Sequence, residues 1–500
     1  MKRAIGAMVL AACGLGQAET SVSADASEST ADASGSGSAD MSESATDSSV
    51  TVSETSSGMV SDTSSGMVSD TSSEDGTGDS TDTDTDTGGT DPGGATTVFD
   101  ESAVHTYELV VAPDDWERLN QDPSAEIYVP ATLHFDGNEY ANIGLRYKGS
   151  YGSLYWCFVD GQQVCPKLSL KLDFHEYVAT QRFHGLKRLN LHAMSYPPLE
   201  DDDPFGDPSR LRERLAYGLF RDFGVTAPRS VHGRVVINGE NMGLYTVTEA
   251  IDGEFTEDHF ADGGQGNLYK EAWPLATTAA PYIAALETNE DQNPSVDKMV
   301  RFASELQAAG DAGFVDVLRA WTDYDTLMRF LAVDRAIDNW DGIIGFYCSG
   351  VCFNHNYYWY EQTDSDRLWI VPWDLDHTFD FPDPMQTIYG LPPWYERPAV
   401  CQPTQVFSGV PRMAPACDDI IDRLGRLSFP DYAAAARELV DTLFTEAELN
   451  ARIDAQAAQI ATHVADDPLG PSVTEWEAAV AKLRTDVVGL RDALIAEIER

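Results

Sequence analysis

Basic residues are scarce in this 500-residue chain: 33 Lys and Arg stand against 82 Asp and Glu, a formal net charge of −49. Nucleic-acid binding needs dense Lys/Arg patches to neutralise phosphates, so that class of function is excluded. No Lys or Arg lies between Ala4 and Glu117, and no Trp, Tyr or Phe precedes Phe99. Residues 14–98 hold 17 acids in a Ser-, Thr- and Gly-rich background. That stretch has too little apolar mass to offset the entropy of ordering and predicts a disordered acidic linker. Residues 53–60 and 61–68 within it are near-identical octads with no face to bury. Asp82, Asp84 and Asp86 open like a calcium loop, but Thr87 stands where the turn glycine belongs. Long hydrophobic runs are also missing, since nothing approaches the roughly 20 apolar residues that a spanning helix needs. Setting aside residues 1–98, with Lys2, Arg3 and those 17 acids, leaves 402 residues carrying 31 bases and 65 acids, net −34. This body holds nearly all the aromatics and is long enough to bury a large core.

Lys2 and Arg3 precede the short apolar run 4–12, which ends in Leu10-Ala11-Ala12-Cys13. Residues 1–13 resemble a bacterial lipoprotein signal peptide, which implies cleavage before Cys13 and its lipidation. The expectation is an exported lipoprotein of the bacterial cell envelope, held at the membrane through its lipid anchor only. Cysteine is limited to seven residues, and the six beyond Cys13 fall in local pairs: Cys157 with Cys165, Cys348 with Cys352, Cys401 with Cys417. Close pairs fit three short-loop disulfides in an oxidising compartment. The competing reading is a metal site from Cys348, Cys352 and His355, for which no second Cys pair is present.

Strand signals open the body at 106–112 (TYELVVA) and 127–135, with Asp136-Gly137 as a turn. Residues 142–148 (NIGLRYK) lead into the small-residue loop 149–153, and 167–174 (KLSLKLDF) alternates as a half-buried strand. Residues 186–192 form a further strand. A helix is predicted over 210–223, started by Asp207-Pro208-Ser209 and stopped by Gly224. Asn238-Gly239 marks a hairpin between 231–237 and 243–248. After Asp323 the pattern turns helical, interrupted by strand-like runs at 357–360 and 368–371, and 429–500 reads as amphipathic helices broken at 466–470. The fold class is therefore α+β, a β-rich N-terminal half followed by a helix-rich C-terminal half.

The densest chemistry lies in 338–380, where Asp338-Asn339-Trp340-Asp341, Asn354-His355-Asn356 and Trp373-Asp374-Leu375-Asp376 sit at element ends. Carboxylate and amide oxygens at adjacent ends suit a hard divalent cation such as Mg²⁺. With these residues in view, the chain resembles the CotH kinase family of spore-coat and cell-surface proteins. The resemblance rests on GLRYKGS, KLSLKLDF, KRLNLHA, SRLRERLAYGLF, INGENMGLYTVTEAID, GNLYK, DNWDG, HNYYWY and VPWDLDHTF, in the family's order. It implies an atypical protein-kinase-like, two-lobed fold over 99–500 that uses ATP and Mg²⁺ or Mn²⁺ to phosphorylate Ser or Thr of an unknown surface protein. The nucleotide lobe would be 99–255, the metal and catalytic lobe 256–428, and the C-terminal helices 429–500.

Phosphoryl transfer needs a phosphate cradle, a cation on the phosphates, a carboxylate at the acceptor hydroxyl and metal ligands. By resemblance Gly149 and Gly152 supply the cradle, Lys171 with Glu213 the phosphate cation and its partner, and Asp341 the catalytic carboxylate. Lys148 and Lys187 compete with Lys171 for the phosphate. Asn356 and Asp374 would hold the metal with Asp376 assisting, and Glu249 ends a strand where a hinge would meet adenine. GxGxxG, HRD and DFG motifs are absent. The insert 345–351, with its Cys pair, lengthens the catalytic segment where an acceptor would bind. Two other readings are a non-catalytic coat or surface assembly protein that keeps the fold, and a metal-dependent hydrolase, which lacks a His-rich ligand pattern.

Overall fold

Alternating apolar and polar residues in the first half build strands with one inward face, and the structure closes them on themselves. In the computed structural model of the chain, residues 94–149, 154, 157–159, 162–195, 206–365, 367–387, 390–404 and 411–500 are described, and they belong to one compact unit. The leader with Cys13, the linker up to residue 93, and Gly152 lie outside the described residues.

Seven strands form a closed barrel: β1 (His105–Val111), β2 (Val129–Phe135), β3 (Asn138–Tyr147), β4 (Leu170–Asp173), β5 (Arg188–His192), β6 (Ser230–Ile237) and β7 (Glu240–Glu249). Their order is β1-β2-β3-β4-β5-β7-β6. Neighbours run antiparallel except at the seam, where β6 lies parallel to β1 with His105 opposite Gly233 and Leu109 opposite Ile237. Closure removes the free edges that an open sheet would expose. Leu109, Leu133, Leu145, Leu172, Leu191 and Val247 point inward and share one buried core. The two-residue period then assigns the opposite, outward face to Lys148 just past β3, Lys171 on β4, Asn190 and His192 on β5, and Thr246 and Thr248 on β7.

Helix α1 (Pro113–Gln121) follows β1, and α2 (Arg212–Asp222) lies against the outward face of the barrel. Asp207 starts α2 by accepting the Arg212 backbone N–H at 3.0 Å, one of the N–H groups left orphaned at a helix start. After α3 (Gly253–His259) the chain adds β8 (Asn267–Lys270), then α4 (Asp297–Ala308), α5 (Asp311–Trp321) and α6 (Tyr324–Ala336). A disulfide-linked hairpin follows, β9 (Phe346–Ser349) and β10 (Val351–Phe353), then β11 (Tyr357–Glu361) and β12 (Leu368–Pro372). β11 pairs with β8 and β12 in one three-stranded sheet, and β9 pairs with β10 and β13 (Arg412–Met413) in another. The C-terminal helices are α7 (Asp419–Leu427), α8 (Phe429–Thr442), α9 (Glu446–Ala465) and α10 (Val473–Ile498). The stripe Leu483, Val487, Leu490 and Leu494 on α10 is buried in a second core shared with α6 and α8.

All three local cysteine pairs are disulfides. Cys348 and Cys352 are thereby joined to each other, which removes the metal reading with His355. Two expected boundaries also move. Val98 and Phe99 are buried in the barrel core behind the helical turn Ala95–Val98, so the folded body begins before residue 99. The boundary at 255/256 falls inside α3. No helix among the described residues is long and apolar enough to cross a membrane.

The turn between α9 and α10 is pinned to the barrel by a buried ion pair. Lys167 Nζ donates to Asp467 Oδ2 at 2.8 Å, both side chains being almost fully buried. The same oxygen accepts the Leu244 backbone N–H at 3.0 Å. Gly243 is required there, because its φ is +84° and an added Cβ would lie 1.9 Å from Asp467 Oδ1. Removing one partner leaves a buried, uncompensated charge, so Asp467→Ala is expected to cost about 3–5 kcal/mol. Lys167→Met combined with Asp467→Ala should recover much of that loss in urea denaturation; equal midpoints for the single and double variants would refute this account.

Candidate active site

The site forms where the outward wall of the barrel meets α2 and the ends of β11 and β12. Glu213 and Tyr217, four residues apart on α2, face the same way. Glu213 is 2% exposed, and its Oε1 accepts hydrogen bonds from His192 Nδ1 at 2.6 Å and Thr248 Oγ1 at 3.1 Å. The other ring nitrogen, His192 Nε2, lies 2.7 Å from Lys148 Nζ. A carboxylate on Nδ1 fixes the neutral tautomer with its proton there, leaving Nε2 to accept from the ammonium group. Glu213 thus reaches Lys148 through His192. Glu213 Oε2 is buried with no hydrogen-bond partner among the described residues.

Asp374 follows β12 with a left-handed φ of 53°, a conformation that Asp tolerates better than most residues. Its backbone N–H donates to the Tyr217 hydroxyl at 3.1 Å, which ties the residue to α2. Burial, and next the Asp376 carboxylate, push the Asp374 carboxyl up to about 6, against the opposing pull of Lys148 and His192. Burial likewise pulls the Lys148 amine down, with Asp374 and Glu213 opposing. Trp373 closes this corner: Lys148 Nζ sits 5.2 Å from its ring centroid and His192 meets it edge-on at 5.9 Å. Lys270, at the end of β8, also acts electrostatically on Lys148.

Asn356 precedes β11 and Trp373 follows β12; the Trp373 N–H donates to the Asn356 carbonyl at 3.1 Å. Asn356 also has a left-handed φ, 63°, and its N–H donates to Glu271 Oε1 at 3.1 Å. Its side-chain Nδ2 donates to Asp341 Oδ2 at 2.9 Å and to the Asp341 carbonyl at 3.0 Å, which orients the amide carbonyl Oδ1 away from Asp341. The loop carrying Asp341 is held by Asn339, whose Nδ2 donates to the buried Asp334 Oδ1 at 2.8 Å. Gly342 leaves room for that bond, since a Cβ there would lie 2.4 Å from Asn339 Nδ2. Tyr347 donates to Asp341 Oδ1.

Lys148, Glu213, Asp374 and Asp376 are electrostatically coupled, and Asp341 is joined to Asn356 beside them. Glu213 is engaged by His192 and, through it, by Lys148 rather than by Lys171. Lys171 pairs across the sheet with Arg146, and burial together with Arg188 and Arg146 drives its amine down to about 8. Lys187 lies at the opposite end of β5 from His192. Gly149 has the left-handed φ of 111° expected of a tight glycine loop. The Glu249 side chain is taken by Arg229, through Nε at 3.0 Å and Nη2, and by His259. It serves as an anchor at the end of β7. His192, Tyr217 and Lys270 were missed, although His192 occupies an outward strand position and Tyr217 stands one turn beyond Glu213.

Among the described residues no group of three or more His, Cys, Asp or Glu is arranged to hold a metal. Asn356, Asp374 and Asp376 offer an amide and two carboxylates, a hard-oxygen set that suits Mg²⁺ when phosphate oxygens and water complete the shell. The Asn356 amide orientation and the raised Asp374 carboxyl fit such an ion.

A family model described as CotH kinase protein matches residues 145–489. Inner spore coat protein H of Bacillus subtilis (strain 168) is 23% identical over 293 residues, 56% of this chain and 70% of that protein. Invasin CotH7 of Rhizopus delemar is 27% identical over 190 residues, 35% of this chain and 29% of the invasin. A crystal structure of the Helicobacter pylori proinflammatory kinase CtkA aligns with 67% of this chain and 96% of its own at 11% identity. The TM-score of that alignment is 0.25, too low to support an argument.

Asp374 keeps its proton to about pH 6 in the folded chain, against 3.8 for an ordinary Asp. The folded state binds the extra proton between those values, so stability falls as pH rises through that window, by about 3 kcal/mol. Asp374→Asn should flatten this slope and raise the melting temperature at neutral pH in chelator. Thermal melts of both proteins from about pH 4 to about pH 7 check this, and parallel curves would refute it.

Proposed function

The chain belongs to the CotH kinase protein family, and on that premise we propose that it transfers the γ-phosphate of ATP to Ser or Thr hydroxyls of cell-surface or coat proteins. The observation that carries this reading is the link Lys148–His192–Glu213 beside Asp374. It sets a buried ammonium group, fixed from behind, against carboxylates suited to a cation, which is the charge arrangement phosphoryl transfer requires. In this reading the barrel half is the nucleotide lobe of a two-lobed kinase-like body, and Lys148, with Lys270 nearby, attracts the phosphates. Gly149 lets the backbone approach them. Asn356, Asp374 and Asp376 hold Mg²⁺ or Mn²⁺, which when bound neutralises phosphate charge. Asp341 accepts the proton of the acceptor hydroxyl. The three disulfides support an exported protein, and Cys13 is proposed as the lipid anchor.

A second reading, a coat or surface assembly protein without transfer activity, is favoured by the names of the relatives, which state a spore coat and an invasin. Transfer of radiolabelled phosphate from ATP with Mg²⁺ or Mn²⁺ separates the two. Asp341→Asn should lower turnover by on the order of 10²- to 10⁴-fold, the usual contribution of a general base, while keeping the thermal shift produced by ATP·Mg²⁺. Lys148→Ala and Asp374→Ala should lose both label and shift. Equal, background-level labelling by folded wild type and Asp374→Ala would sink the kinase reading.

A further inference from the structure

The hairpin β9–β10 lies between Asp341 and Asn356 in the chain, and its relation to Asp341 goes beyond the roles assigned so far. Both carboxylate oxygens of Asp341 are engaged: Oδ2 accepts Asn356 Nδ2 at 2.9 Å, and Oδ1 accepts the Tyr347 hydroxyl. Tyr347 stands on β9 opposite Phe353 on β10 and Arg412 on β13. The Arg412 guanidinium lies 3.5 Å from the Tyr347 ring centroid, and His355 meets the ring at 5.2 Å. The next residue, Cys348, is cross-linked to Cys352 on the facing strand, so the hairpin cannot splay at the point that presents the phenol. On either side of the cross-link along β10, Val351 is 60% exposed and Phe353 is 49% exposed.

We infer that Tyr347 occupies on Asp341 the position an acceptor hydroxyl must take, so that the disulfide-closed hairpin is a gate on the acceptor side of the site. The inference rests on the kinase reading and adds regulation to it. A phenol O–H and an acceptor O–H are equivalent donors to one carboxylate oxygen, and a charge-assisted bond of this kind is among the stronger hydrogen bonds of a protein. Asn356 holds Oδ2 from the other side, so Oδ1 is the oxygen left to receive the acceptor proton. Transfer then proceeds with the acceptor oxygen bonding to the γ-phosphorus, the bond from that phosphorus to the bridging oxygen of ADP breaking, and the acceptor proton passing to Asp341. Before this step the acceptor must displace Tyr347. What the acceptor displaces is the Tyr347 side chain, because β9 itself is held between β10 and β13.

The test is steady-state transfer from ATP·Mg²⁺ to dephosphorylated casein by the full chain, with Tyr347→Phe and the double variant Cys348→Ser/Cys352→Ser. Tyr347→Phe should lower the KM for casein by about tenfold, the size of one charge-assisted hydrogen bond, with the ATP·Mg²⁺ thermal shift unchanged. The double Cys variant should shift the casein KM in the same direction. A wild type that fails to label casein while Tyr347→Phe labels it would support the gate in its strongest form. A fall in kcat at constant casein KM would overturn it, showing that Tyr347 positions Asp341 productively. An unmoved casein KM would also overturn it. If neither protein labels casein nor responds to ATP·Mg²⁺, the kinase reading itself has failed, and the gate with it.

Discussion

A carboxylate buried between two elements must be satisfied there, and Glu213 imposes that constraint on the centre of this protein. It is 2% exposed at the start of α2 and is held by His192 from β5 and Thr248 from β7. An unpaired charge at such depth is costly, so α2 can pack on the barrel wall in only one register. That register sets Tyr217 under the backbone of Asp374 and turns the free face of His192 toward Lys148. The position of the ammonium group relative to the acidic corner at 374–376 thus follows from where one carboxylate can be accommodated.

A second buried network does for Asp341 what Glu213 does for Lys148. Arg335, at the end of α6, lies 3.7 Å from Asp338, 3.6 Å from Asp383 and 3.5 Å from Glu497 on α10. Glu497 also accepts hydrogen bonds from Trp394 Nε1 at 3.0 Å and from the Tyr432 hydroxyl at 2.5 Å. The acidic loop 338–342 is therefore braced by charges from the last helix, and burial raises the Asp334 carboxyl beneath it to about 7. Part of the body's acidity is locked into such networks.

Most barrel strand segments, the start of α2, the Asn238-Gly239 hairpin and the three disulfides were legible because each depends on residues close in sequence. The choice among lysines was not. Lys148, Lys171 and Lys187 all lie at strand positions where a cation could face a nucleotide, and only the cross-strand register separates them. Glu249 is a similar case: a strand-end acid looks available until the Arg229 side chain, twenty residues earlier, is found on it. His192 had no distinguishing local signal beyond its outward alternation. Tyr347 was hidden inside an insert whose length was visible and whose direction was not.

By itself the sequence determined the inward and outward alternation of the strands and the local pairing of the cysteines. These follow from composition and from periods of two to four residues, which the chain carries locally. Tertiary structure alone decided that the strands close into a barrel, that Lys148 is the ammonium group coupled to Glu213 through His192, and that a tyrosine of the disulfide hairpin rests on Asp341. Those contacts join residues separated by 6 to 44 positions across different elements. Their geometry depends on barrel closure and on the burial of a few charges, neither of which is written in any local pattern.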